Sequence, residues 1–156
     1  MKKYLFCLAI ILSLSTVVHA QSVDRLLRQV ADAENVNRVR VGSVLMSMAR
    51  TAARVAGNPI PHISSVAVYD LSESSVYFRQ SLINELQQLR DSDGYETLMH
   101  ARDSGNDVRI MMRRDRNNVI RELVIFAVND SSPAVIRISG RITEDEITQL
   151  VSQHTR

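Results

Sequence analysis

The residues best equipped for chemistry in this chain are few and far apart. Of its four histidines, His19 lies in the first twenty residues, and His62, His100 and His154 lie scattered along the rest without the short ligand spacing that a zinc site usually shows. The one cysteine, Cys7, sits in the first ten residues. There is no G-x-S-x-G elbow, no phosphate-cradling glycine loop and no H-E-x-x-H pair. Asp91 with Asp93, and Glu144-Asp145-Glu146, are close enough in sequence for acid–base work. They fall at the end of one expected helix and the start of another, where turn propensity and the helix dipole already account for them. The expectation is a chain with no catalytic residue, no metal and no cofactor. A hydrolase built on histidine and carboxylate, the least favoured alternative, requires His62 or His100 within hydrogen-bond reach of an acid in a cleft.

The sharpest local feature is a basic hairpin. Arg109, Arg113, Arg114, Arg116 and Arg121 lie in or beside the turn Asp115-Arg116-Asn117-Asn118. Strand alternation sends Arg109, Met111 and Arg113 to one face and Val108, Ile110 and Met112 to the other. With the second set turned toward the helices, Arg109, Met111, Arg113 and Arg137 from the last strand form an open face. Such a face suits an anionic partner, an acidic protein patch, lipid headgroup or glycan, with methionine supplying adaptable contact area. The competing reading is a solvated face balanced by Asp103, Asp107, Asp115 and Glu122, with charge guarding against edge aggregation. Glu96 reads as an ordinary cross-strand partner for an arginine.

The first twenty residues say where the chain works. Lys2 and Lys3 precede the apolar run Leu5 to Leu14, and Val18-His19-Ala20 forms a small-residue cleavage site, so residues 1–20 read as a secretory signal cut before Gln21. The run is shorter than the roughly 18 to 20 residues that a spanning helix needs, so no stable membrane span is expected after cleavage. Cys7 lies too early in the run for lipidation. The leader also holds both lysines: the 19 basic and 17 acidic residues of the full chain reduce to 17 arginines against 17 acids. A neutral mature chain gives no reason to expect nucleic acid as a partner. It also has no cysteine, so its core must hold without disulfides in a compartment that permits them.

Residues 21–156 are expected to form one domain. Ser22 caps a first helix carrying Val23, Leu26, Leu27, Val30 and Ala31 at helical spacing. Val36 to Val41 reads as an edge strand or an extended lead-in. A second helix, Ser43 to Ala56, is expected to bury Val44, Leu45, Met48, Ala52 and Val55 and to wet Arg50 and Arg54, with Gly57 ending it. Ile63 to Leu71 follows as a strand. Ser74 or Ser75 then opens a third helix with Phe78, Leu82, Leu86 and Leu89 on one face. From Tyr95 the period switches to alternation, giving strands 95–101, 108–113, 120–128 and 134–139 with connections too short for crossovers, hence antiparallel. A last helix is expected from Thr143, with Glu146 completing a capping box and Ile147, Leu150 and Val151 facing inward. The sum is an α+β fold, helices on one face of a mainly antiparallel sheet of four to five strands.

The run Gly94-Tyr95-Glu96-Thr97-Leu98-Met99, the turn Asp103-Ser104-Gly105 before Val108-Arg109-Ile110, the strand Glu122-Leu123-Val124-Ile125, and Val135-Ile136-Arg137-Ile138-Ser139-Gly140 together resemble DUF4252, a family of small exported bacterial proteins with a domain of unknown function. The resemblance is densest over residues 94–154. It implies an envelope location and a setting linked to extracytoplasmic-function sigma factors or envelope stress. It implies no activity and no catalytic residues, and the lipidation seen in some members is not matched here. The reading is therefore an exported, noncatalytic binding module of the periplasm or cell envelope, engaging an envelope protein or an anionic envelope component. The alternative is a periplasmic small-ligand or lipid-binding protein with its pocket between helices and sheet.

Overall fold

A computed structural model describes residues 22–57, 62–103 and 106–143. Three helices, α1 (Val23–Asp32), α2 (Ser43–Val55) and α3 (Val76–Gln88), accompany six strands: β1 (Asn37–Val41), β2 (His62–Asp70), β3 (Tyr95–Asp103), β4 (Asn106–Arg114), β5 (Ile120–Val128) and β6 (Ala134–Ile142). The strands form one antiparallel sheet in the order β1-β2-β6-β5-β4-β3. The fold is α+β as the sequence implies, with one strand more than expected. The expected helix after Thr143 and the turn at Ser104-Gly105 lie outside the described residues.

Helices α1 and α3 form where the local code is strongest. The Ser22 hydroxyl accepts from the Arg25 amide at 3.2 Å and the Ser75 hydroxyl from the Phe78 amide at 3.1 Å, each satisfying a donor that the helix start leaves orphaned. Val23, Leu26, Leu27 and Val30 of α1 and Leu82 and Leu86 of α3 then pack with Leu89 on Ala67, Tyr69, Met111, Val124, Phe126, Val128 and Val135. That is the core, and one face of the sheet is its floor.

Register explains what stands on each face. Across the core face run the rows Ser65, Ser139, Glu122, Arg113, Tyr95 and Arg40, Ala67, Arg137, Val124, Met111, Thr97. Across the other face run Val41, Val66, Ile138, Leu123, Met112 and Val39, Val68, Ile136, Ile125, Ile110, Met99. Helices α1 and α3 therefore cover the face that carries Arg109, Met111, Arg113 and Arg137, the reverse of the sequence expectation. Both faces of β5 are apolar, so alternation alone does not say which is the inner one. The second face forms a smaller cluster where Met112, Ile120 and Ile142 are buried with Ile63, Leu123 and Ile138.

Two glycines are required by geometry. Asp93 (φ 53°) and Gly94 (φ 78°) adopt successive left-handed conformations, and the Tyr95 amide donates to the Ser92 carbonyl at 2.9 Å, closing the turn into β3. At Gly140 a Cβ would stand 2.3 Å from the His62 carbonyl oxygen, so β2 and β6 approach there only because the side chain is absent.

Helix α2 is a different case from its neighbours. No residue in it is buried. The stripe expected to enter the core is outside it: Val44, Leu45, Met48 and Val55 are 60 to 85% exposed, and Ala52 is exposed too. The inward positions are Met46, Arg50 and Ala53, and Arg50 donates from Nη1 to the Ile63 carbonyl at 2.8 Å. Arg50 is thus the anchor of α2 to β2, where the sequence reading placed it in solvent.

Candidate functional site

The four residues expected to form a binding face divide into two pairs. Met111 is fully buried in the core and Arg109 is 7% exposed beneath α3. Arg109 enters because it has a task there. Its Nη1 donates at 2.7 Å to the carbonyl of Leu86 near the α3 C-terminus, which also accepts from the Leu89 amide and lies at the negative end of the helix dipole. Its Nη2 donates at 2.9 Å to the Thr97 hydroxyl, which in turn donates to Asp91 Oδ1 at 2.8 Å. This Arg109–Thr97–Asp91 relay fastens the end of α3 to β3 and β4. The proposed open surface therefore loses Arg109 and Met111.

Arg113 and Arg137 do come together, around a carboxylate that the sequence reading treated only as surface balance. Glu122 is 2% exposed. Arg113 Nη2 donates to its Oε2 at 2.5 Å, and Arg137 Nε donates to its Oε1. The Arg113 guanidinium also lies 4.9 Å from the centre of the Tyr95 ring, a cation–π stack. Among the described residues the buried Tyr95 hydroxyl has no hydrogen-bond partner. Burial, reinforced by the Glu122 carboxylate, pushes that hydroxyl well above the usual phenol range. Both arginines are about one-third exposed, so each side chain reaches solvent from a buried base. The alternating spacing of Glu122 with Val124 and Phe126 places it on the inner face of β5 once that face is known.

These groups do not assemble a reaction centre. Both oxygens of Glu122 are occupied by guanidinium donors, leaving it poorly placed to take a substrate proton. Among the described residues, the nearest approach to a catalytic pair is His100 Nε2 at 3.2 Å from Asp107, whose side chain is 1% exposed. The contact that the hydrolase alternative requires is present at His100, and there it seats a buried acid. No described hydroxyl bonds the other ring nitrogen, so a nucleophile in line with the histidine is missing among the described residues. Nor does any group of three potential ligands gather there for a metal ion. The sequence reading named His62 as well; it lines an open hollow of about 290 Å³ with Val119, Arg141 and Thr143.

The feature that sequence reasoning missed is the outer side of α2. Ser47, Met48, Thr51, Ala52, Val55 and Ala56 line an open groove of about 610 Å³. The stripe itself was legible as helical periodicity; its direction was not. Exposed apolar side chains scattered singly need no explanation, but a helix that turns its whole apolar stripe to solvent does.

Comparison with known proteins adds the family and nothing more specific. No curated protein and no solved structure matches the chain. Residues 30–150, from the end of α1 through all six strands and beyond, match a family described as a domain of unknown function, and the chain is a member of that family, DUF4252.

Proposed function

We propose that this chain is a noncatalytic binding module of the bacterial cell envelope, and that it engages a protein partner through the outer side of α2. The observation that carries this reading is the helix itself. Thirteen residues hold a helix while burying none of their side chains, with Val44, Leu45, Met48 and Val55 in solvent. Helical stability in proteins comes mainly from packing an amphipathic face, so a short helix without such packing gains most from a partner. Arg50 fixes the opposite side to β2, which presents the stripe outward. No described helix is long and apolar enough to cross a membrane. The leader-like residues 1–20 support export, and the setting linked to sigma factors or envelope stress follows from the family resemblance.

Arg113 and Arg137, each about one-third exposed, are kept outside this proposal. Each spends a donor on Glu122, which makes them first of all a means of burying that acid. A photo-crosslinking residue placed at position 48, with position 116 in the β4–β5 turn as control, tests the reading in intact cells. The expected result is a discrete protein adduct at position 48 and none at 116. Absence of any adduct at position 48 in producing cells contradicts it.

A further inference from the structure

We infer that the occupant of this surface is a second copy of the chain, with α2 packed antiparallel on α2 about a two-fold axis. The inference rests on the proposed binding role of α2 and names the partner. Leu45, Met48, Ala52 and Val55 follow one another at spacings of three, four and three, the a/d pattern of a helix–helix seam. All four are exposed. Arg50 falls diametrically behind that seam, which is why it can bind the Ile63 carbonyl while the seam faces away.

The spacing supplies the hole that such packing uses. Met48, Thr51, Ala52 and Val55 stand at i, i+3, i+4 and i+7, the four corners of a hole that receives one knob. In an antiparallel pair centred on position 50, the knob that meets this hole is Met48 of the second copy. The two small central corners, Thr51 and Ala52, make room for a long, flexible side chain. Met48 then lies against Ala52 and Leu45 against Val55, each contact made twice by symmetry, and large residues meet small ones in every layer. A parallel pair would set Met48 on Met48 and Ala52 on Ala52, crowding one layer and hollowing the next.

Charge points the same way. The positions flanking the seam, Val44, Ala49, Thr51 and Ala56, are all uncharged, so no like-charge repulsion opposes self-pairing. The same neutrality disfavours an anionic membrane surface, which amphipathic helices engage through basic flanks. From Leu45 to Val55 the seam is only about 15 Å long at the helical rise. An interface of that length is smaller than standard stable ones, so the dimer is expected to be reversible and concentration-dependent.

The test uses the chain expressed with Cys7→Ser, so that engineered cysteines are the only thiols whether or not the leader is removed. Sedimentation velocity over a wide concentration range is expected to show monomer passing to dimer, and Ala52→Arg to weaken association by about tenfold or more by burying an unpaired charge. Mixing Met48→Cys with Ala52→Cys under mild oxidation is expected to give the mixed disulfide well above either self-linked dimer. Circular dichroism of Ala52→Arg confirms that its helices persist. A monomer at every concentration, or self-linked Met48→Cys dimers in excess of the mixed species, overturns the antiparallel pair. A position-48 adduct in cells consisting solely of a different protein also overturns the second-copy assignment while leaving the binding role standing, whereas no adduct at all removes both.

Discussion

At the scale of single residues, the polar groups beneath the helices hold the fold together more than they face outward. Arg109 shows this most directly. Reversing its charge, a change that a surface arginine tolerates, here buries a carboxylate against the Leu86 carbonyl; Arg109→Glu should cost several kcal/mol, of the order of 3 to 5 for a buried charge left unpaired, or leave the chain unfolded. Urea denaturation beside Arg116→Glu, a turn substitution expected to fall within about 0.5 kcal/mol of the parent, measures the difference. Glu122 behaves in the same manner from the acidic side. Asp115 offers a pH handle at the surface. Hydrogen bonds from the Val119 amide first, then from the Asn117 amide and Arg121, hold its carboxyl below the usual aspartate range. The folded chain therefore binds fewer protons at Asp115 than the unfolded chain does near its ordinary pKa. The stabilisation is present above that value and is lost as pH falls through the depressed one. The protection factors of the Asn117 and Val119 amides, exchange rates normalised to the intrinsic rate at each pH, should fall on acidification in the parent and be already low, with a flatter acid dependence, in Asp115→Ala.

At the scale of elements, the parts that were legible in sequence are those whose instructions are local. Ser22 and Ser75 cap the helices they precede, and the period-two run Ile120 to Val128 is a strand with those ends. Replacing Ser75 by alanine should cost about 1 kcal/mol, read from the denaturation midpoint. What was not legible depends on partners distant along the chain. Nothing near Arg109 announces that the Leu86 carbonyl, 23 residues away, will receive it. Nothing in Leu123-Val124-Ile125-Phe126 says which alternate set faces the helices, since both sets are apolar and a one-residue change of parity exchanges them. The bulges between Ile63 and Ser65 and between Ile120 and Glu122 shift parity again where Gly140 lets β2 and β6 close up. Gly140→Ala, with its Cβ directed into the His62 carbonyl, is expected to destabilise by at least about 2 kcal/mol, visible as a lowered midpoint at unchanged slope.

At the scale of the whole molecule, the division of labour is between a core that is finished and a helix that is not. Helices α1 and α3 cover one sheet face with residues at or near zero exposure. Helix α2 keeps hold of β2 by its back and leaves the seam Leu45, Met48, Ala52, Val55 uncovered. Periodicity in the sequence identified that stripe correctly and assigned it to the wrong interior, because an apolar stripe reads the same whether its complement lies in its own domain or elsewhere. The consequence is that substitutions on the seam should separate stability from association: Leu45→Ser is expected to leave unfolding of the dilute monomer within about 0.5 kcal/mol of the parent while reducing capture of the partner. The most direct measurement is cysteine accessibility along α2 in intact cells, in a Cys7→Ser chain bearing single cysteines at positions 45, 47, 48, 52, 54 and 55 and compared with the same chains purified and dilute. The account predicts protection in cells at 45, 48, 52 and 55, free labelling at 47 and 54, and uniform labelling of all six in dilute solution. Equal labelling of all six positions in cells would contradict it.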